Sequence, residues 1–192
     1  MNNLLLIIDL QENFINDNTK NIPNSIKKLI DSNIANYIVF TKFINDDSSN
    51  FYKILNYKGC MSEKDRNIVI DTKDYKVIEK RVYTAYNDEL KSYIDANNIK
   101  TIYLCGIDTD ACVLKTALDL FENGFDVKVI EDCSMSHSGI EYHNSAINML
   151  KKLIGIQNVV KKLNSINDDR IWRSFFINKE VIKNENSSNW IW

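Results

Sequence analysis

Cys112 stands in the stretch Leu104-Cys105-Gly106-Ile107-Asp108-Thr109-Asp110-Ala111-Cys112-Val113. An apolar run stops there at a glycine, acids and a threonine follow, and a helix is predicted to begin at the cysteine. A helix start exposes unpaired N–H groups and the positive end of the macrodipole. Both favour the thiolate, the nucleophilic form of cysteine. Two other residues follow apolar runs in the same way: Asp9 after Leu4–Ile8, and Lys80 after Lys76–Glu79. A thiol nucleophile needs a base to take its proton and a group to hold that base. Asp9 could be the base, and Lys80 could hold it and adjust its charge. The backbone N–H groups of Ala111 and Cys112 could stabilise an oxyanion. Each residue also has a plainer reading. An aspartate after a buried strand often binds turn amides, a lysine beside Arg81 can be a solvated charge, and a free cysteine can be a small buried hydrophobe. Against the last stands the expected stripe Leu114, Ala117, Leu118 and Phe121, with which position 112 is out of phase.

The elements that must position these residues alternate between strands and helices. Strands are predicted at Leu4–Ile8, Tyr37–Thr41, Lys76–Glu79, Thr101–Gly106 and Asp126–Ile130, with a sixth at the edge over Val159-Val160. Helices are predicted after Pro23, over Asp88–Asn97, after Cys112 up to Asn123-Gly124, and over Ile140–Ile154. Such alternation implies an α/β protein in three α/β/α layers around a central, mostly parallel sheet of five or six strands. The unbroken apolar run Leu4-Leu5-Leu6-Ile7-Ile8 fits a strand buried on both faces. Ligands of such sheets bind beyond the carboxyl ends of the strands, where Asp9, Lys80 and the approach to Cys112 all fall. Residues 1–160 form one domain. Residues 161–192 form an extension rich in Trp, Phe, Asn and Ser, expected to pack on the domain or on a neighbouring subunit.

Composition narrows the function classes. The chain has 192 residues, 44% of them hydrophobic, and a net charge of −2 with both signs interspersed. No basic run suggests nucleic acid, and no apolar run is long enough to span a membrane. Met1 to Ile8 is apolar but lacks a basic start and a cleavage site, so it is expected to be a strand rather than a signal peptide. Cys60, Cys105, Cys112 and Cys133 form no CxxC pair, which fits reduced thiols in a cytoplasmic protein. Nucleotide-binding glycine motifs are absent. Asp9-Leu10-Gln11 lacks the second aspartate that a haloacid-dehalogenase-like phosphatase would need.

Three separated motifs carry a resemblance. Asp9-Leu10-Gln11-Glu12-Asn13-Phe14 is similar to D-x-Q-x-x-F. Lys80-Arg81-Val82-Tyr83-Thr84-Ala85-Tyr86 is similar to K-x-x-Y-S-A-F. Gly106 to Val113 is similar to G-x-x-T-D-x-C-V, continuing into Thr116-Ala117 and Asp119. Asp132-Cys133-Ser134 resembles D-A-S, and His143 matches a histidine of the last helix. Together, over about Leu4 to Val160, the chain resembles the isochorismatase-like cysteine hydrolases, which include nicotinamidases and N-carbamoyl amidohydrolases. The resemblance implies an isochorismatase-like, Rossmann-like fold, a triad of Asp9, Lys80 and Cys112, and a cis peptide at Ile107–Asp108. It implies cleavage of an amide or carbamoyl C–N bond of a small molecule through a Cys112 thioester, in a homo-oligomer, dimeric or larger. Thr84 for Ser and Tyr86 for Phe depart from the pattern and bear on pocket size and polarity. The alternatives are a vinyl-ether hydrolase using Asp9 as acid and a non-catalytic binding or scaffold protein on the same fold.

The remaining site residues are expected from their neighbours. Phe14, Tyr83 and Tyr86 adjoin triad members and are candidates to bind substrate, with ordinary core packing as the other reading. His137 lines the pocket or lies on a loop. His143 packs within its helix. Asp108 and Asp110 are expected as caps and turn formers. Asn45 to Tyr57 is expected as a lid over the strand ends. The D-x-H cluster of nicotinamidases is missing from Thr41 to Asp47, and His137 and His143 are not spaced as a zinc pair on one helix face. No metal and no cofactor are therefore expected.

Overall fold

The computed structural model describes residues 2–162. The extension expected over 161–192 lies outside the described residues beyond Lys162. The central sheet contains β1 (Asn2–Ile8), β2 (Tyr37–Phe43), β3 (Lys76–Lys80), β4 (Ile99–Gly106), β5 (Asp126–Ser134) and β6 (Val159–Val160). Its order is β3-β2-β1-β4-β5-β6, and every neighbouring pair is parallel. That is the order of a doubly wound sheet, whose crevice opens where the chain reverses direction, between β1 and β4. An isolated antiparallel bridge joins Gln11 to Ile68 outside the strands.

Helices α1 (Ile22–Asp31), α4 (Asp88–Ala96), α5 (Leu114–Glu122) and α6 (Ile140–Leu153) cover the sheet, and the single turns α2 (Asn50–Lys53) and α3 (Glu63–Arg66) lie between β2 and β3. The side chains of β1 alternate between two cores. Leu4, Leu6 and Ile8 pack with Leu90, Ala117 and Leu150 of α4, α5 and α6. Leu5 and Ile7 pack with Ile22, Ile26 and Leu29 of α1 on the other face. Ser49 and Ser62 cap the two single turns, each accepting a backbone N–H at 3.1 Å, from Tyr52 and Asp65 respectively.

The strands run further than their apolar stretches predict. β2 continues through Lys42 and Phe43 because these still pair with Glu79 and Lys80. β5 continues to Ser134, which pairs with Gly106 across a register shift. The buried face of α5 also differs from expectation: Thr116, Ala117 and Leu120 point inward, whereas Phe121 is 41% exposed. Thr116 can be buried because its hydroxyl accepts the Ala85 N–H at 2.9 Å.

Candidate active site

The central register places an acid and a thiol side by side. Ile8 pairs with Gly106, so β1 and β4 end level. Only glycine fits at position 106: its φ is +124°, and an added Cβ would lie 2.1 Å from the Ile8 carbonyl oxygen. Immediately beyond, Asp9 adopts φ 47° and the Ile107–Asp108 peptide is cis. Thr109–Val113 then forms a π turn that carries Cys112 and leads into α5. Positive φ at a non-glycine residue is uncommon and concentrates at functional sites.

Lys80, the last residue of β3, closes the arrangement from two strands away. Its ammonium lies 2.7 Å from Asp9 Oδ2, donates to Cys112 Sγ at 3.3 Å, and donates to the Val82 carbonyl at 3.0 Å. Two of its protons thus meet acceptors, and the carboxylate at 2.7 Å supplies the counter-charge that a buried ammonium requires. Thr41 of β2 holds the other side of Asp9. Its hydroxyl donates to Asp9 Oδ1 at 2.7 Å and accepts the Asp9 N–H at 3.1 Å. The Lys80 and Asp9 side chains are 1% and 0% exposed, so water does not screen their ion pair.

Burial decides the charge on the thiol. Desolvation, reinforced by the Asp9 carboxylate, pushes the Cys112 thiol well above its usual range, and Lys80 only partly opposes this. The expected lowering at a helix start is therefore overturned: Cys112 lies inside the π turn, 7% exposed, and rests as a protonated thiol. Desolvation would lower Lys80, but Asp9 and then Cys112 outweigh it and hold the ammonium above its ordinary value. The site stores its charge separation on Lys80 and Asp9, with a neutral thiol beside them.

Cys112 borders a cavity of about 280 Å³. Its lining includes the aromatic rings of Phe14, Phe43, Phe51, Tyr57 and Tyr83 and the polar residues Asp108, Asp110 and His137, with the Phe14 and His137 rings 5.8 Å apart. Of the residues expected to bind substrate, Phe14, Tyr83 and His137 line this space. Tyr86 does not: its ring packs against Phe125 at 5.9 Å and lies under the Lys91 ammonium. Of the two expected oxyanion donors, the Ala111 N–H is already engaged, donating to the Asp108 carbonyl at 3.2 Å. Asp108 makes no side-chain cap. It instead grips His137, accepting the backbone N–H at 2.7 Å and bonding Nδ1 at 2.5 Å. That hydrogen bond raises the His137 pKa against the opposing effect of burial. His143 is buried on α6, with Nδ1 2.8 Å from the Thr109 hydroxyl, and burial lowers its pKa. Among the described residues no group of three or more His, Cys, Asp or Glu could hold a metal ion.

Several contributors carry little local signal. Thr41 sits within an apolar strand, and only its position opposite the end of β1 makes it a support for Asp9. Gln11 lies in the first motif, but its role is visible only in three dimensions. Its amide accepts the Phe43 N–H at 2.7 Å and donates to the carbonyls of Phe43 and Arg66 at 3.0 and 3.2 Å. It thereby fixes the segment after β2, from which Phe51, Leu55 and Tyr57 reach the cavity.

A parallel doubly wound sheet, with an acid, a cation and a thiol meeting at its carboxyl edge where ligands of such sheets bind, defines the class of α/β protein. The Isochorismatase domain matches residues 3–159. Isochorismatase family protein 2A of Dictyostelium discoideum is 32% identical over 147 residues, which are 73% of this chain and 70% of that protein. The nicotinamidase PncA from Bacillus subtilis superposes with a TM-score of 0.74 at 23% identity, covering 84% of this chain and 100% of that one. N-carbamoylsarcosine amidase from Thermoplasma acidophilum superposes with a TM-score of 0.71 at 20% identity, covering 86% and 100%. The chain belongs to the isochorismatase family, whose members are hydrolases.

Proposed function

We propose that this protein is a cysteine hydrolase that cleaves an amide or carbamoyl C–N bond of a small molecule. The observation that carries the proposal is the Lys80 ammonium bridging Asp9 Oδ2 and Cys112 Sγ at the wall of the cavity. Asp9 takes the thiol proton as Cys112 Sγ attacks the carbonyl carbon. The Cys112 N–H receives the developing oxyanion, joined by the Ala111 N–H once it leaves the Asp108 carbonyl that it bonds at 3.2 Å. The tetrahedral intermediate collapses, the C–N bond breaks, and Asp9 returns the proton to the departing nitrogen. Water then attacks the thioester, again giving a proton to Asp9, and the acid leaves as the thiol is re-formed. Lys80 remains charged throughout and stabilises whichever partner, carboxylate or thiolate, carries the negative charge. Phe14, Tyr83 and His137 shape the substrate's surroundings. The amidase chemistry named for the two structural neighbours supports the choice of a C–N bond.

Incubation with a reactive ester such as p-nitrophenyl acetate, followed by intact mass measurement, tests this. Wild type is expected to accumulate one acetyl group on Cys112 and Cys112→Ala none. Turnover by Cys112→Ala equal to wild type would exclude the thioester route. The four free, buried thiols support residence in the reducing cytoplasm. Exposed Tyr142, Met149, Leu153 and Ile156 along and just beyond α6 support assembly into a homo-oligomer, dimeric or larger. Residues 161–192 are proposed as an extension packing on the domain or on a neighbouring subunit.

A further inference from the structure

The charged groups around the cavity cancel in pairs, with one exception. Lys80 neutralises Asp9 at 2.7 Å. His137 Nδ1 pairs with Asp108 at 2.5 Å, and its backbone N–H takes the second carboxylate oxygen. Asp110 also lines the cavity, two residues before the nucleophile, and no cation pairs with it among the described residues. Its Oδ1 is buried without a hydrogen-bond partner. Its charge is felt at Tyr83, His137 and His143. The other residues lining the cavity are mostly aromatic, and among the described residues no lysine or arginine lines it.

We infer that the site rejects molecules carrying negative charge beside the scissile carbonyl, and that Asp110 sets this preference. The substrate is then a small amide or carbamoyl compound that is neutral or cationic near the reacting carbon. N-carbamoyl amino acids with a free carboxylate next to the ureido group are excluded. This inference rests on Cys112 being the nucleophile. Asp110 acts on the approaching molecule by its field, with no part in the proton transfers.

Alkylation of Cys112 by reagents of similar size and different charge tests the inference without knowledge of the substrate. Iodoacetamide is neutral, iodoacetate anionic and 2-bromoethylamine cationic. In each case the S–C bond forms as the carbon–halogen bond breaks, halide leaves, and the thiol proton passes through Asp9 to water. Rates are read by intact mass with Cys112→Ala as blank, and divided by the rates of the same reagents with 2-mercaptoethanol. For a unit charge at an assumed separation of about 6 Å and an effective permittivity of about 20, iodoacetamide is expected ahead of iodoacetate by about 10- to 100-fold after allowing for screening. 2-Bromoethylamine is expected to be at least as fast as iodoacetamide. In Asp110→Asn the iodoacetamide-to-iodoacetate ratio is expected to fall to within about threefold of one. A wild-type ratio near one overturns the inference whatever the variant does, and so does a ratio that Asp110→Asn leaves unchanged. If none of the reagents labels Cys112, the nucleophile assignment itself fails and the inference falls with it.

Discussion

Replacing Lys80 by methionine keeps the unbranched apolar stem of the side chain and removes its charge. The structure allows the consequence to be worked out. Asp9 would keep its two contacts with Thr41 but lose the cation at 2.7 Å, in a place where its side chain is 0% exposed. Breaking one partner out of a buried ion pair costs about 3–5 kcal/mol, because the remaining charge stays desolvated. For a domain of this size that corresponds to a melting temperature lower by roughly 6–20 °C. Urea unfolding followed by far-UV circular dichroism would measure the loss directly, as a midpoint lower by about 2 M if the slope is unchanged. The double variant Lys80→Met with Asp9→Leu removes both charges and is expected to regain most of the stability, although it has no activity. The pair is therefore expected to show a coupling energy of about 2 kcal/mol or more in a double-mutant cycle. A Lys80→Met variant within 1 kcal/mol of wild type, or a double variant no more stable than the single one, would show that the ion pair is not what holds Asp9 in place.

Other outcomes follow from single contacts. Thr41→Val strips Asp9 of a donor and an acceptor, and is expected to cost about 1–3 kcal/mol in urea unfolding. Turnover should fall with it, since the proposed mechanism uses Asp9 as its base. Gly106→Ala would force a Cβ to within 2.1 Å of the Ile8 carbonyl oxygen at φ +124°, and is expected to lower stability by about 3 kcal/mol or more. A melting temperature equal to wild type would contradict the close approach of β1 and β4. Alkaline pH should destabilise the fold. Burial raises Cys133 to about 11 and Cys60 to about 12 from 9.0, so the folded chain keeps protons that the unfolded chain releases. That contribution is complete below pH 9 and declines by about 1.4 kcal/mol per pH unit per thiol between pH 9 and 11. Urea midpoints that stay flat from pH 8 to 10.5 would refute this.

Much of the architecture was legible because β1 is so uniform. Leu4 to Ile8 could only be a strand buried on both faces, and an acid immediately after it had to lie at the carboxyl edge of the sheet. Lys80 and Cys112 were found by the same logic applied to β3 and β4. Periodicity could not show the face of α5, because Thr116 counts as polar until Ala85 is seen to satisfy it. The cavity wall was harder still. Phe43 is the last residue of a strand whose end was hidden by Lys42, and Phe51 arrives from a segment fixed by the Gln11 amide far earlier in the chain. Tyr86 adjoined the second motif yet turned towards Phe125, since sequence proximity to Lys80 says nothing about which side of the turn a ring occupies. Asp108 was expected to cap a helix. Its partner, His137, is 29 positions away, beyond the reach of any local pattern.

The central place of β1 has a consequence for how the chain is made. β1 pairs with β2 on one side and with β4 on the other, yet β4 ends only at Gly106. During synthesis the first strand, with Leu4 to Ile8 wholly apolar, must wait for almost a hundred further residues before its second neighbour exists. At about 5–20 residues per second that wait is roughly 5–20 s. Over this interval an unsatisfied strand edge is open to the ribosome's surroundings, and Asp9 has no thiol to serve. The cluster of Asp9, Lys80 and Cys112 is thus a late product of translation, and a nascent chain stalled before Cys112 would present a sticky edge in place of a closed sheet.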